Sequence, residues 1–133
     1  PLVVLGQRGH PAFAHGLTAE SFQAARHVSV LPRAGRGSPL EIVLGSAKVQ
    51  RQVRLFVPNY LTIPAIVAQS DLLGVVPKRM GERFASVFPI TCAELPFAMP
   101  PTQVSLIWHR RKGLTGGASW LRREVLSVVR AGL

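Results

Sequence analysis

The sequence predicts an α/β fold, a sheet whose strands are joined by crossover helices. Apolar runs of strand length, about six residues, alternate with helix-length segments of about ten, five times over, and no hairpin dipeptide joins the strands. The composition, 47% hydrophobic and 17% charged, is that of a packed globular chain, and 133 residues suffice for one core or for one lobe and part of another. No sequence repeat underlies the alternation.

The first strand is the short apolar run Leu2 to Gln7, closed by the turn-like RGHP of residues 8 to 11. Thr18 stands as N-cap of a short helix through LTAESF, and HVSVLP, residues 27 to 32, follows as a strand. PRAGRGSPL, residues 32 to 40, is loop by its two glycines and two prolines, and Ser38 with Pro39 forms an N-cap and N1 pair for a helix through about Ala47. VRLFVP, residues 53 to 58, is again a strand; Pro64 is tolerated only in a first turn, so the next helix starts near Thr62. The strand LLGVVP leads into a helix from near Lys78, and ITCAEL, residues 90 to 95, is a further strand. A proline-rich connector, LPFAMPP, separates this part from QVSLIWHRR, where Val104, Leu106 and Trp108 alternate with Ser105, Ile107 and His109 as in a half-buried strand. The last segment reads as a helix from near Ser119, with Leu121, Val125, Val128 and Val129 on one face.

Sixteen Lys+Arg against six Asp+Glu give a net charge of +10, which attracts polyanions by long-range field and counterion release. The basic residues are scattered apart from Arg110, Arg111 and Lys112 and the pair Arg122 and Arg123, which favours a solvated surface over a nucleic-acid site. No run of about 18 apolar residues and no signal peptide is present, and the single Cys92 closes no internal disulfide, so a cytoplasmic address is the default.

Catalysis finds no support. Asp71 is the only aspartate, and the Gly-x-Ser-x-Gly elbow, the Gly-x-Gly-x-x-Gly turn and the phosphate loop ending in Gly-Lys-Ser/Thr are all absent. No cofactor is implied. His10 and His15 are five apart, which fits neither a helical pair of ligands nor a zinc pattern, so no metal is expected and His10 reads as a turn residue at a strand end. His27 reads as a satisfied, partly buried histidine, and Cys92 as an inert small hydrophobe. Trp108 and Trp120 are read as core packing rather than as a stacking platform for single strands. Two arginines stand out because each follows a strand: Arg36 in PRAGRGS and Arg79 in VVPKR. In α/β sheets ligands gather outside the carboxyl ends of the strands, where a guanidinium receives a carboxylate bidentately. The bland reading of both is solvent exposure.

LVVLGQRGHP, the Leu-x-x-x-x-Phe before HVSV, VRLFVPNYLTIPAIVAQSDLLGVVPKRMGERF, then LPF, VSLIWHRR and SWLRREVL together resemble the effector-binding domain of LysR-type transcriptional regulators. The resemblance is closest to the branch of the nodulation regulators and the regulators of naphthalene, nitrotoluene and lindane degradation. It implies a periplasmic-binding-protein type II-like lobe with a mixed, mainly parallel sheet flanked by helices, plus a C-terminal strand and helix from the other lobe. Residues 1–102 correspond to the second lobe, and 103–133 to the strand and helix returning to a first lobe that is otherwise missing. It further implies a small effector, aromatic or carboxylate, between the lobes; DNA contact only through a missing N-terminal domain; no membrane; and a homodimer or homotetramer. The implied effector contacts are Pro32, Arg33 and Arg36 in the loop after the second strand, Arg79 at the start of the helix, and Val104 on the returning strand. The competing reading is a basic nucleic-acid-binding module built on residues 110 to 112 and the tryptophans. Residues from 103 on are expected to expose apolar surface and to pack on a neighbouring copy or be loosely held.

Overall fold

A computed structural model describes residues 1–31, 39–46, 49–99, 105–109 and 116–132. The chain forms two compact units, Pro1–Pro101 and Thr102–Leu133. In the first, β1 (Leu2–Gln7), β2 (Arg26–Val30), β3 (Gln52–Val57), β4 (Leu72–Pro77) and β5 (Ile90–Glu94) make one sheet in the order β3-β2-β4-β1-β5. β2 pairs parallel with β3 and with β4, while β1 runs antiparallel to both β4 and β5. The sheet is thus mixed, with one reversed strand.

β1 and β4 are central and covered on both faces, so their buried runs are continuous rather than alternating. Successive residues of β1 serve opposite faces: Val3 and Leu5 join Val28, Val76, Ile63 and Val67, whereas Val4 joins Phe22, Leu40, Leu44, Leu73 and Val75. α1 (Ala19–Ala24) and α2 (Pro39–Ser46) lie on the second face; α3 (Ile63–Val67) and α4 (Lys78–Val87) lie on the first. Thr18 caps α1 as its sequence predicts, in a reciprocal pair: its Oγ1 accepts from Ser21 N–H at 3.1 Å and Ser21 Oγ accepts from Thr18 N–H at 3.0 Å. Pro64 falls in the first turn of α3, where no helical hydrogen bond is forfeited. α4 is seated on the sheet through Gly81, whose place leaves no room for a β-carbon: one built there would stand 2.4 Å from Val3 Cγ2.

The second unit differs from its expectation. Ser105–His109 form no strand, and α5 (Gly116–Gly132) is the one element described there. A strand becomes stable when its backbone pairs with a neighbour and one face is covered. Among the described residues no strand pairs with 105–109, and Leu106, Ile107 and Trp108 are all exposed. Trp108 and Trp120, expected in a core, are 53% and 56% exposed. Arg122 stacks instead over the Trp108 ring, its guanidinium carbon 4.9 Å from the centroid.

Candidate functional site

The connections leaving β2 and β4 diverge. From β2 the chain passes through α2 to β3, on one side and one face; from β4 it passes through α4, on the other face, to β5 beyond β1. Because β2 and β4 are parallel neighbours, their carboxyl ends lie side by side with the two helices turning away from each other. That is a topological switch point, the place where an open α/β sheet has a crevice lined by loops and helix starts. The N-terminal end of the reversed β1 and the carboxyl end of β5 reach the same edge: Leu2 is opposite Pro77, and Val3 opposite Glu94.

On the β4 side the strand enters α4 without a loop, Pro77 holding the N-cap position. Lys78 is already engaged. Its N–H donates to Pro1 O at 3.0 Å and its ammonium reaches Glu94 Oε1 at 3.1 Å, a hydrogen bond that raises its pKa. Arg79 is exposed, on the side of α4 where Glu82, Arg83 and Ser86 line the same shallow groove. Among the described residues of this unit no wall encloses the guanidinium. Pro32, Arg33, Arg36 and Val104 lie outside the described residues.

On the β2 side sits a group that nothing in the sequence points to. Arg51, just ahead of β3, buries its side chain to 2% exposure and donates from Nη2 to Ser29 Oγ at 2.9 Å and to the Glu41 carboxylate in the first turn of α2. In the sequence Arg51 is one basic residue among sixteen, and its neighbours do not mark it for burial.

Two of the four histidines, His10 and His27, are structural. His10 Nδ1 accepts from Ala12 N–H at 3.1 Å, which leaves the proton on Nε2 to donate to Asp71 O at 3.0 Å and ties the β1 turn to the start of β4. His27 is fully rather than partly buried, donates through Nε2 to Phe22 O at 2.8 Å, and packs edge-on against the Phe22 ring. Burial pushes its pKa down to about 4 against the raising effect of the Phe22 carbonyl, so the ring is neutral near pH 7. Cys92 is half-buried and burial raises its thiol pKa, in keeping with an inert side chain. Among the described residues no cluster of three or more His, Cys, Asp or Glu is placed to hold a metal ion, and no helix is long and apolar enough to cross a membrane.

Residues 1–130 match the family model of the LysR substrate binding domain. The chain belongs to the LysR family. Among curated LysR relatives it is 30% identical over 126 residues to the HTH-type transcriptional regulator SyrM 1 of Sinorhizobium fredii, a match covering 94% of this chain and 37% of that protein. It is 26% identical over 126 residues to the HTH-type transcriptional activator NahR of Pseudomonas putida, covering 95% of this chain and 42% of that one. Nodulation protein D 2 of the same Sinorhizobium is 25% identical, so the relatives fall in the branch to which the residues pointed, and SyrM 1 and NahR are named as transcriptional regulators. The chain spans about two fifths of the length of these relatives. Among solved structures, the regulatory domain of MexT, a transcriptional activator of Pseudomonas aeruginosa, superposes with a TM-score of 0.77 at 18% identity over 93% of this chain and 59% of that one. A putative transcriptional regulator from Vibrio parahaemolyticus superposes with 0.76 at 24% identity over 92% and 57%. Both likenesses show the fold, an open mixed α/β sheet flanked by helices as the residues implied, and the family model gives the domain as the LysR substrate binding domain.

Proposed function

We propose that this chain is the ligand-sensing part of a LysR-type transcriptional regulator and that it grips a small aromatic or carboxylate effector at the carboxyl ends of β2 and β4. The observation that carries the reading is the switch point, with exposed Arg79 at the β4 end and the segment holding Pro32, Arg33 and Arg36 connecting β2 to α2. An arginine there offers a fork of donors to a carboxylate, and the positive end of the α4 dipole adds to the field.

One lobe supplies half a cleft. Residues 1–102 form this lobe, and 103–133 complete a second lobe of the full-length regulator, where the segment around Val104 takes up strand pairing and its exposed apolar side chains are covered. Effector held between two lobes favours their closed arrangement, and the closure biases how a homodimer or homotetramer sits on DNA. DNA is met through a domain other than this one, and the regulator works in the cytoplasm. In the full-length regulator Arg79→Ala is expected to shift the effector dose response to concentrations about tenfold or more higher, the loss of one charge-assisted bidentate contact. An unchanged dose response removes Arg79 from the site. The competing reading, a nucleic-acid module, is favoured by the exposure of Trp108 and Trp120 beside a +10 chain. It requires tight, steeply salt-dependent DNA binding by these 133 residues alone, and weak nonspecific association in a fluorescence titration dismisses it.

A further inference from the structure

We infer that Arg51 is a positioning residue for the effector cleft: from beneath α2 it ties the carboxyl end of β2 to the first turn of α2 and so sets one wall of the switch-point crevice. This rests on the reading of that crevice as the effector site.

The geometry is specific. Ser29 is the penultimate residue of β2, and Glu41 is the third residue of α2. They stand twelve positions apart in sequence, yet one guanidinium nitrogen, Arg51 Nη2, bonds both. Arg51 itself comes from a third place, the residue before β3, the strand that pairs with β2 on its outer side. A single side chain thus closes the strand, the helix that follows it and the next strand into one unit.

Stability alone does not account for the choice. Removing a guanidinium from water is costly, and an apolar side chain of similar length on the sheet face where Leu40 and Leu44 are buried avoids that cost. Arg51 is incompletely compensated as well: its Nε and Nη1 are buried and find no hydrogen-bond partner among the described residues. Two residues before Ser29, on the same face of β2, His27 leaves its Nδ1 equally unpartnered. Buried polar atoms without partners are rare in folded proteins and ask for a reason. What the arginine supplies that a methionine lacks is direction: its Nη2 hydrogen bonds fix where the first turn of α2 stands against the end of β2, whereas apolar contacts permit sliding. Glu41 supplies the countercharge from the helix side and keeps its own carboxylate partly in solvent, 40% exposed, so the pair is anchored at one end and hydrated at the other.

The test is hydrogen exchange, read by mass spectrometry on the 133-residue chain without effector. In Arg51→Met the amides of α2 are expected to exchange about tenfold faster or more, as local opening of one helix, while those of β1, β4 and α4 keep their rates. Arg51→Lys, which retains a cation able to reach Glu41, is expected to recover part of the protection, and Glu41→Gln to lose an intermediate amount. Exchange that is unchanged in α2, or that accelerates equally in all five strands and helices, overturns the proposal, and so does an effector dose response that stays unchanged in the full-length Glu41→Gln regulator, since a merely structural tie leaves that response in place. Should Arg51→Met fail to fold, the Arg51→Lys and Glu41→Gln chains decide the matter by whether their loss of protection is confined to α2. A negative result here leaves the effector reading standing, while an unchanged dose response in Arg79→Ala sinks that reading without touching the strut.

Discussion

The central strands β1 and β4 of the first unit and the described residues of the second carry apolar residues at equally regular spacing and put them to opposite use, while β3 at the sheet edge leaves Leu55 and Phe56 exposed. In Pro1–Pro101, every apolar position of β1 and β4 finds a helix or a neighbouring strand: Val4, Leu5, Leu73 and Val76 are completely covered. In Thr102–Leu133, Leu106, Ile107, Trp108, Trp120, Leu121 and Val128 are exposed even though their spacing follows the same rules. Periodicity therefore reports which face of an element seeks cover, and the cover itself must come from somewhere else in the molecule. The contrast agrees with the proposal that the second unit completes a lobe supplied by other residues of the regulator.

The largest expected difference between the units comes from Phe22, fully buried at the meeting of His27 and Phe97. Phe22→Ala is expected to cost about 3–5 kcal/mol in denaturant unfolding, the loss of transfer energy plus the cavity left behind. A cost below about 1 kcal/mol would mean that the first unit's core is not packed as described.

Next comes a pH effect that only a buried group produces. His27 has its pKa lowered from 6.5 to about 4 by burial, so below pH 6.5 the unfolded chain takes up a proton that the folded chain refuses until about pH 4. Its contribution is therefore complete above about pH 6.5 and is lost as pH falls from there through 4, by roughly 3 kcal/mol in all, and a His27→Gln chain that still folds loses that part of the slope. Urea midpoints measured at intervals across that window decide it; an equal slope in both chains would place His27 in contact with water.

A smaller cost is expected at Gly81, where an added methyl meets Val3 Cγ2 at 2.4 Å and Cys92 Sγ at 3.2 Å. Gly81→Ala trades better helix propensity for a collision with the sheet, and the collision wins by about 1–3 kcal/mol because the contacted atoms are themselves packed. Thermal unfolding reads the sign directly. The smallest effect belongs to the second unit: Trp120→Ala is expected to stay within about 0.5 kcal/mol in the isolated 133-residue chain, as for an exposed residue. A loss of about 2 kcal/mol or more, the scale of a buried aromatic, would erase the contrast between the units.

Much of the lobe is legible in the residues alone. The strand at Leu2–Gln7, the Thr18 cap, the helix start at Pro39, the first-turn place of Pro64 and the direct passage from β4 into α4 at Lys78 all follow from local rules, since propensity, capping and proline geometry act within a few residues of chain. Arg79 at a strand end is legible for the same reason, because strand and helix boundaries place it. The strand expected around Val104 to His109 does not form over 105–109, because alternation names a face but does not supply the neighbour that a strand must pair with.

What the sequence by itself determined is the succession of strands and helices from β1 to β5 and the likeness to the LysR effector domain. Only the tertiary structure decided that β1 is reversed between β4 and β5, that β2 and β4 lie side by side with their helices diverging, and that Arg51 reaches under α2 to Ser29 and Glu41. The reason is range. Caps, turns and periodicity are contacts between neighbours in the chain, whereas strand order and the burial of a charge are settled by which distant segments compete successfully for the same apolar face.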